Sequence, residues 1–257
     1  MKSEYMSLRL ASSMTALLLL LASGLGAQQE RTCTLHVTWW DAPATTPGPT
    51  LALGSEDNPR VFSPQVMNFV SEIRHVGGDV ANLLVKEVTK DEKGKEVVRW
   101  NPFGNVSLPQ GEDTFGVVLI SDAAGKRGAG RAFPLSNNAF PMGSIRLVNL
   151  SNREMILGIS GRGARVPAGG TVTHPRAFSK PEVAEVTVLA AVSGEQQPVF
   201  STKSQFSELY RLVVFVIEVP GSEPARFEVR TIVDYPQPKP KVEPKAGDAG
   251  AKAPATR

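Results

Sequence analysis

Residues 140–171 read FPMGSIRLVNLSNREMILGISGRGARVPAGGT, and this run decides the fold class because strand alternation and turn formers follow one another without a break. Ser144 to Leu150 sets Ile145 and Leu147 on one face and Arg146 and Val148 on the other, and Asn149-Leu150-Ser151-Asn152 supplies turn formers where the alternation stops. A second strand is expected at Met155 to Ile159. The Gly161-Arg162-Gly163 turn and the Val166-Pro167-Ala168-Gly169-Gly170 corner then close two more short strands.

Working outward, Ala184 to Val192, Val199 to Thr202, Tyr210 to Val219 and Phe227 to Asp234 read as strands, and Arg211 to Ile217 is apolar enough to be a sheet centre. Upstream, Thr32 to Trp40 alternates Cys33, Leu35, Val37 and Trp39 against Thr34, His36, Thr38 and Trp40, the pattern of a half-buried strand. Ala81 to Val88 and Glu96 to Trp100 flank the charged loop Lys90 to Lys95 as a hairpin, and Phe115 to Ser121 is continuous enough to be buried on both faces. Val66, Phe69, Val70 and Ile73 have helical spacing after Ser63-Pro64, but an extended Met67 to His75 suits a chain of strands better. No repeat of fixed period stands out. About a dozen strands without a long helix predict an all-β protein: one large or two small β-sandwich, immunoglobulin-like units over 28–135 and 136–235, divided near Ser136-Asn137-Asn138.

Both ends depart from this pattern. Lys2 and Arg9 precede the apolar run around Leu17 to Leu21 and the small residues Ala22-Ser23-Gly24 and Gly26-Ala27, which is the layout of a signal peptide over 1–27, cut after Gly24, Gly26 or Ala27. Its apolar part is about ten residues, short of the roughly twenty that cross a bilayer, so no transmembrane span is expected in the mature chain. Residues 236–257 are rich in Pro, Lys and Ala and predict an extended, disordered tail. The expected address is therefore periplasmic or extracellular, with envelope association. The single cysteine, Cys33, excludes an internal disulfide and reads as a buried thiol on a strand.

Catalytic chemistry has few carriers here. His36, His75 and His174 stand on separate elements without metal-ligand spacing, Gly125 to Gly130 lacks the Lys-Ser/Thr of a phosphate loop, and Gly158-Ile159-Ser160-Gly161 misses the nucleophile-elbow spacing. The reading is a protein without cofactor, metal or catalytic residues, and with no nucleic-acid partner. Charge is the feature above background: residues 121–180 hold 9 Lys/Arg against 2 Asp/Glu, whereas 31–120 hold 8 against 11. If Lys126, Arg127, Arg131, Arg146, Arg153, Arg162 and Arg165 converge, they form a positive face for an anionic envelope polymer, a carbohydrate or an acidic partner protein. Trp40 is a candidate sugar-stacking platform, weighed against a covered tryptophan at a sandwich edge.

The run Gly143 to Ser151, followed by Val166 to Gly170, resembles exported bacterial β-sandwich domains of unknown function. The resemblance implies an envelope or surface module and carries over no site residues. The expectation is thus an exported, non-catalytic structural or interaction module, with a binding module for an anionic envelope polymer or carbohydrate through the Arg-rich face as the alternative and a secreted hydrolase as a remote one.

Overall fold

The computed structural model describes residues 30–41, 43–45, 48–69 and 71–235; the expected leader and tail lie outside them. The described residues are all-β, with four sheets that form two sandwiches. In the first, β1 (Arg31–Trp39) lies between β8 (Thr114–Ser121) and β5 (Ser71–Gly77), with β9 (Gly128–Pro134) beyond β8 and the short β4 (Gln65–Val66) beside the end of β1. The opposing sheet runs β3 (Asn58–Phe62), β2 (Leu51–Ser55), β6 (Val80–Lys90), β7 (Glu96–Ser107). In the second sandwich β13 (Thr171–Ala177), β10 (Ser144–Asn149), β16 (Arg211–Glu218) and β17 (Phe227–Asp234) face β12 (Arg162–Val166), β11 (Met155–Ile159), β14 (Glu182–Val192) and β15 (Glu195–Phe206).

The two halves share one strand topology. In each, the opening strand (β1, β10) runs parallel to the penultimate one (β8, β16), which pairs antiparallel with the last (β9, β17). The correspondence reaches the register. Leu51 pairs with Phe62 and Val85 in one half, as Met155 pairs with Val166 and Ala190 in the other. Both long hairpins step at the same place: Leu83 and Leu84 oppose Gly104 and Pro102, and Val188 and Leu189 oppose Phe200 and Pro198, so one extra residue follows a proline in each outer strand. Proline has no N–H to give the ladder, which is why it settles beside a bulge. Loops of unequal length separate the equivalent strands, and this hides the repeat from a search for a fixed period.

Three apolar cores stack through the four sheets. The first packs Cys33, Leu35, Val37 and Trp39 of β1 against Leu51, Leu53, Leu83 and Phe103, and the second packs Ile145 and Leu147 against Met155, Leu157, Val186 and Val188. The third lies between the sandwiches. It joins Trp40, Phe69, Val118 and Phe133 to Phe140, Val148, Val213, Phe215 and Ile232. Alternation on β8 and β16 explains how: Phe115, Val117 and Leu119 point into the first core and Leu212, Val214 and Val216 into the second, leaving Val118, Val213 and Phe215 for the third.

Residues 64–76 form neither a helix nor one strand. The chain pairs at Gln65–Val66, turns through Met67 at φ 49, and pairs again from Ser71. The break lets Phe69 enter the third core, whereas one continuous strand over Met67 to His75 would set it on the same face as Ile73, which packs in the first.

Cys33 is 2% exposed, and burial pushes its thiol above the ordinary value of 9.0, with the nearby Arg31 cation opposing and Asp113 reinforcing the rise. The unfolded chain therefore releases this proton first, so the thiol's contribution to stability is present below pH 9.0 and is lost as pH climbs through the folded value. An aromatic disulfide reagent at pH 8 should label Cys33 only in denaturant. Rapid stoichiometric labelling of the native protein would contradict this burial.

Candidate functional site

The seven cationic positions singled out in the sequence do not converge. Arg146, expected to point into solvent opposite Ile145 and Leu147, is 3% exposed. Its guanidinium donates to Thr173 Oγ1 at 2.8 Å, to the Ala139 carbonyl at 2.6 Å and to the Pro134 carbonyl, and lies 4.4 Å from the Phe140 ring centre. Burial, and then the neighbouring Arg211 cation, lower its pKa to about 10, with Glu112 opposing, which still leaves it charged at neutral pH. The strand face that looks amphipathic in sequence meets the linker between the sandwiches instead of water, so Arg146 is removed from any ligand-binding face.

The others divide by partner. Arg131 donates to the Gly169 carbonyl and so ties β9 to the corner of the second sandwich. Arg153 pairs with Glu218 at 2.9 Å and Arg165 with Glu154 at 3.0 Å. Arg162 is exposed at the start of β12, the strand that also carries Arg165. Lys126 and Arg127 remain together in the exposed loop from β8 to β9, where Asp122 Oδ1 accepts the Lys126 N–H at 2.9 Å and shapes the turn.

Trp40 is likewise a correction. At 4% exposure it offers no face to a sugar, because it belongs to the third core and Arg230 lies 4.7 Å over its ring. Arg230 also contacts Asp41 at 2.6 Å and donates to the Trp40 carbonyl.

The histidines serve the backbone. His36 Nδ1 lies 3.3 Å from the Phe69 carbonyl, His75 Nε2 lies 3.1 Å from the Gly78 carbonyl, and His174 bridges the Arg162 carbonyl and the Arg176 N–H. Among the described residues no group of three or more His, Cys, Asp or Glu side chains is placed to hold a metal ion. Asn149 is fully buried: its Oδ1 accepts from the Ser151 N–H and hydroxyl, and its amide donates to the Arg153 and Pro167 carbonyls.

What the structure does assemble around Lys126 and Arg127 is a groove of about 550 Å³ in the first sandwich. Lys86 of β6 joins the two loop cations on its walls. Val85, Pro102 and Phe103 supply apolar surface, and Asn101 Nδ2 donates to Glu87 Oε2 at 2.7 Å. The bulge at Pro102-Phe103 makes this shape, since Phe103 turns into the core against Trp39 at 5.8 Å while its neighbours stay at the surface.

Two glycines let the loop come close. A Cβ on Gly104 would lie 2.1 Å from the Gly128 carbonyl oxygen, and one on Gly128 would lie 2.3 Å from the Phe103 ring, so β7 and β9 approach only because both positions lack a side chain. Lys86, Glu87, Asn101 and Phe103 were not singled out from sequence. The one local sign is Pro102, two residues past the expected end of the Glu96 to Trp100 strand, since proline in a strand marks an edge or a bulge.

No protein-family model matches this chain, and no curated protein matches it either.

Proposed function

We propose that this protein is an exported, non-catalytic, envelope-associated module: a rigid tandem of β-sandwiches that holds a binding surface in a fixed orientation. The observation that carries the reading is the third core, where one sheet of each sandwich is closed on the other and held by Arg146, Arg211 and Arg230. Independent domains on a linker have small, polar contacts, and an apolar core with charged clamps serves fixed geometry instead. The hydrogen-bonded histidines and the buried Cys33 thiol support a role in which titratable groups maintain structure rather than turn over a substrate. The leader-like residues 1–27 supply the address.

Fractionation of a bacterial host expressing the full chain tests this. The expected result is a form shortened at its N-terminus in the extracytoplasmic fraction and retained on washed envelopes. Full-length protein in the cytosol would overturn the reading.

A further inference from the structure

We infer that the groove between the β6–β7 hairpin and the β8–β9 loop binds the sugar-acid units of an anionic polysaccharide. This inference deepens the interaction-module reading and rests on it. Its chemistry comes from four adjacent features.

Lys86, Lys126 and Arg127 bring three cations to one cavity, and among the described residues none of them is in an ion pair. Arg127 and the lysines suit a carboxylate, the arginine through two parallel N–H donors. The exposed Pro102 ring and the edge of Val85 give apolar surface for the C–H face of a pyranose ring. The Glu87–Asn101 pair then presents a carboxylate acceptor and an amide side by side, the donor and acceptor set that reads adjacent hydroxyls. A volume of about 550 Å³ falls in the range of sites for small ligands, roughly 300–1,000 Å³, and takes a short stretch of a sugar chain rather than a protein surface.

Glu87 also decides between anions. A phosphate-rich chain would set its dense charge against this carboxylate, whereas a sugar acid carries one carboxylate per ring and hydroxyls that Glu87 can accept from. The bulge places Asn101 and Pro102 on the groove while sending Phe103 inward, so the apolar and polar parts of the site follow from one backbone irregularity. The equivalent step in the second sandwich, at Pro198, brings Gln197 and Val199, and there Ala191 and Ala225 stand at the positions of Lys86 and Lys126, so the three-cation site belongs to the first half.

The test is titration of the purified protein with polygalacturonate, a neutral galactan and polyphosphate. Polygalacturonate should bind and the galactan should not, with affinity falling as salt rises from about 50 to about 500 mM. Lys126→Glu/Arg127→Glu should weaken binding about tenfold or more, and Asn101→Ala, which changes no charge, should weaken it roughly three- to tenfold. Both changes lie at the surface, so unaltered thermal midpoints should accompany them. Arg162→Glu, in the other sandwich, should leave affinity unchanged.

Absence of polygalacturonate binding would overturn the inference, as would equal binding of polyphosphate together with a silent Asn101→Ala. Envelope retention without glycan binding sinks the groove and leaves the module standing. Glycan binding by a protein that stays in the cytosol does the reverse.

Discussion

Replacing Arg211 by methionine should lower the thermal midpoint by roughly 6–20 °C, because the substitution strands a buried carboxylate. Arg211 Nε donates to Asp234 Oδ2 at 2.6 Å, and both side chains are at most 10% exposed. The same guanidinium donates to the Phe140 carbonyl and to Asn137 Oδ1 at 3.3 Å, and lies 4.9 Å from the Phe140 ring centre, which Arg146 also approaches. Removing one member of a buried pair costs about 3–5 kcal/mol, mostly the penalty of leaving the other charge without a partner. The double variant Arg211→Met/Asp234→Leu should therefore recover at least half of the loss. Circular dichroism melts of the single and double variants decide the matter: equal losses would mean that the ion pair is not the source of the effect.

Phe215→Asp should uncouple the two sandwiches. Phe215 is fully buried in the third core, edge-on to Phe133 at 5.7 Å and to Trp40 at 6.5 Å. Its neighbours on β16, Val214 and Val216, point into the second core and are untouched by the change. A carboxylate at this position loses the ring's burial, about 3–5 kcal/mol, and adds a desolvated charge whose cross-strand neighbour, Arg230, is already engaged by Asp41 and the Trp40 carbonyl. The interface fails before either sandwich does. Calorimetry should replace one cooperative transition with two, and limited proteolysis should cut newly within 135–143. A single transition with an uncut linker would show that the sandwiches are held together by something other than this core.

The alternation that identified the strands is a local property. Side chains on a strand point to opposite faces with a period of two, so Ser144 to Leu150 and Thr32 to Trp40 are recognisable from residue order alone. The continuous apolar runs at Phe115 to Ser121 and Arg211 to Ile217 also announced burial on both faces, and both strands are interior to their sheets. Shorter, more polar strands such as Leu51–Ser55, Asn58–Phe62 and Gly128–Pro134 are not recognisable from residue order, because glycine and proline in them carry turn signals that pairing overrides. The candidate groove was half legible. Lys126 and Arg127 are visible as a basic glycine loop, but Lys86, Glu87 and Asn101 reach it from a hairpin distant in the chain, through a bulge whose one local sign is Pro102 and a glycine–glycine approach that no local pattern encodes.

By itself, the amino-acid sequence determined that this protein is built of short strands and tight turns, that Cys33 cannot form an internal disulfide, and that positive charge concentrates in residues 121–180. Only the tertiary structure decided what covers the second face of each central sheet. A period of two assigns two faces to a strand without saying whether water or protein meets the polar one, and an arginine is compatible with either, since its guanidinium is satisfied by solvent or by carbonyl oxygens. For Arg146 the carbonyls of Pro134 and Ala139 stand where water was expected, and for Trp40 the cover is Arg230 and the third core. The packing of one sandwich against the other thus took Arg146 and Trp40 out of solvent, while a bulge and a glycine approach within the first sandwich formed the groove.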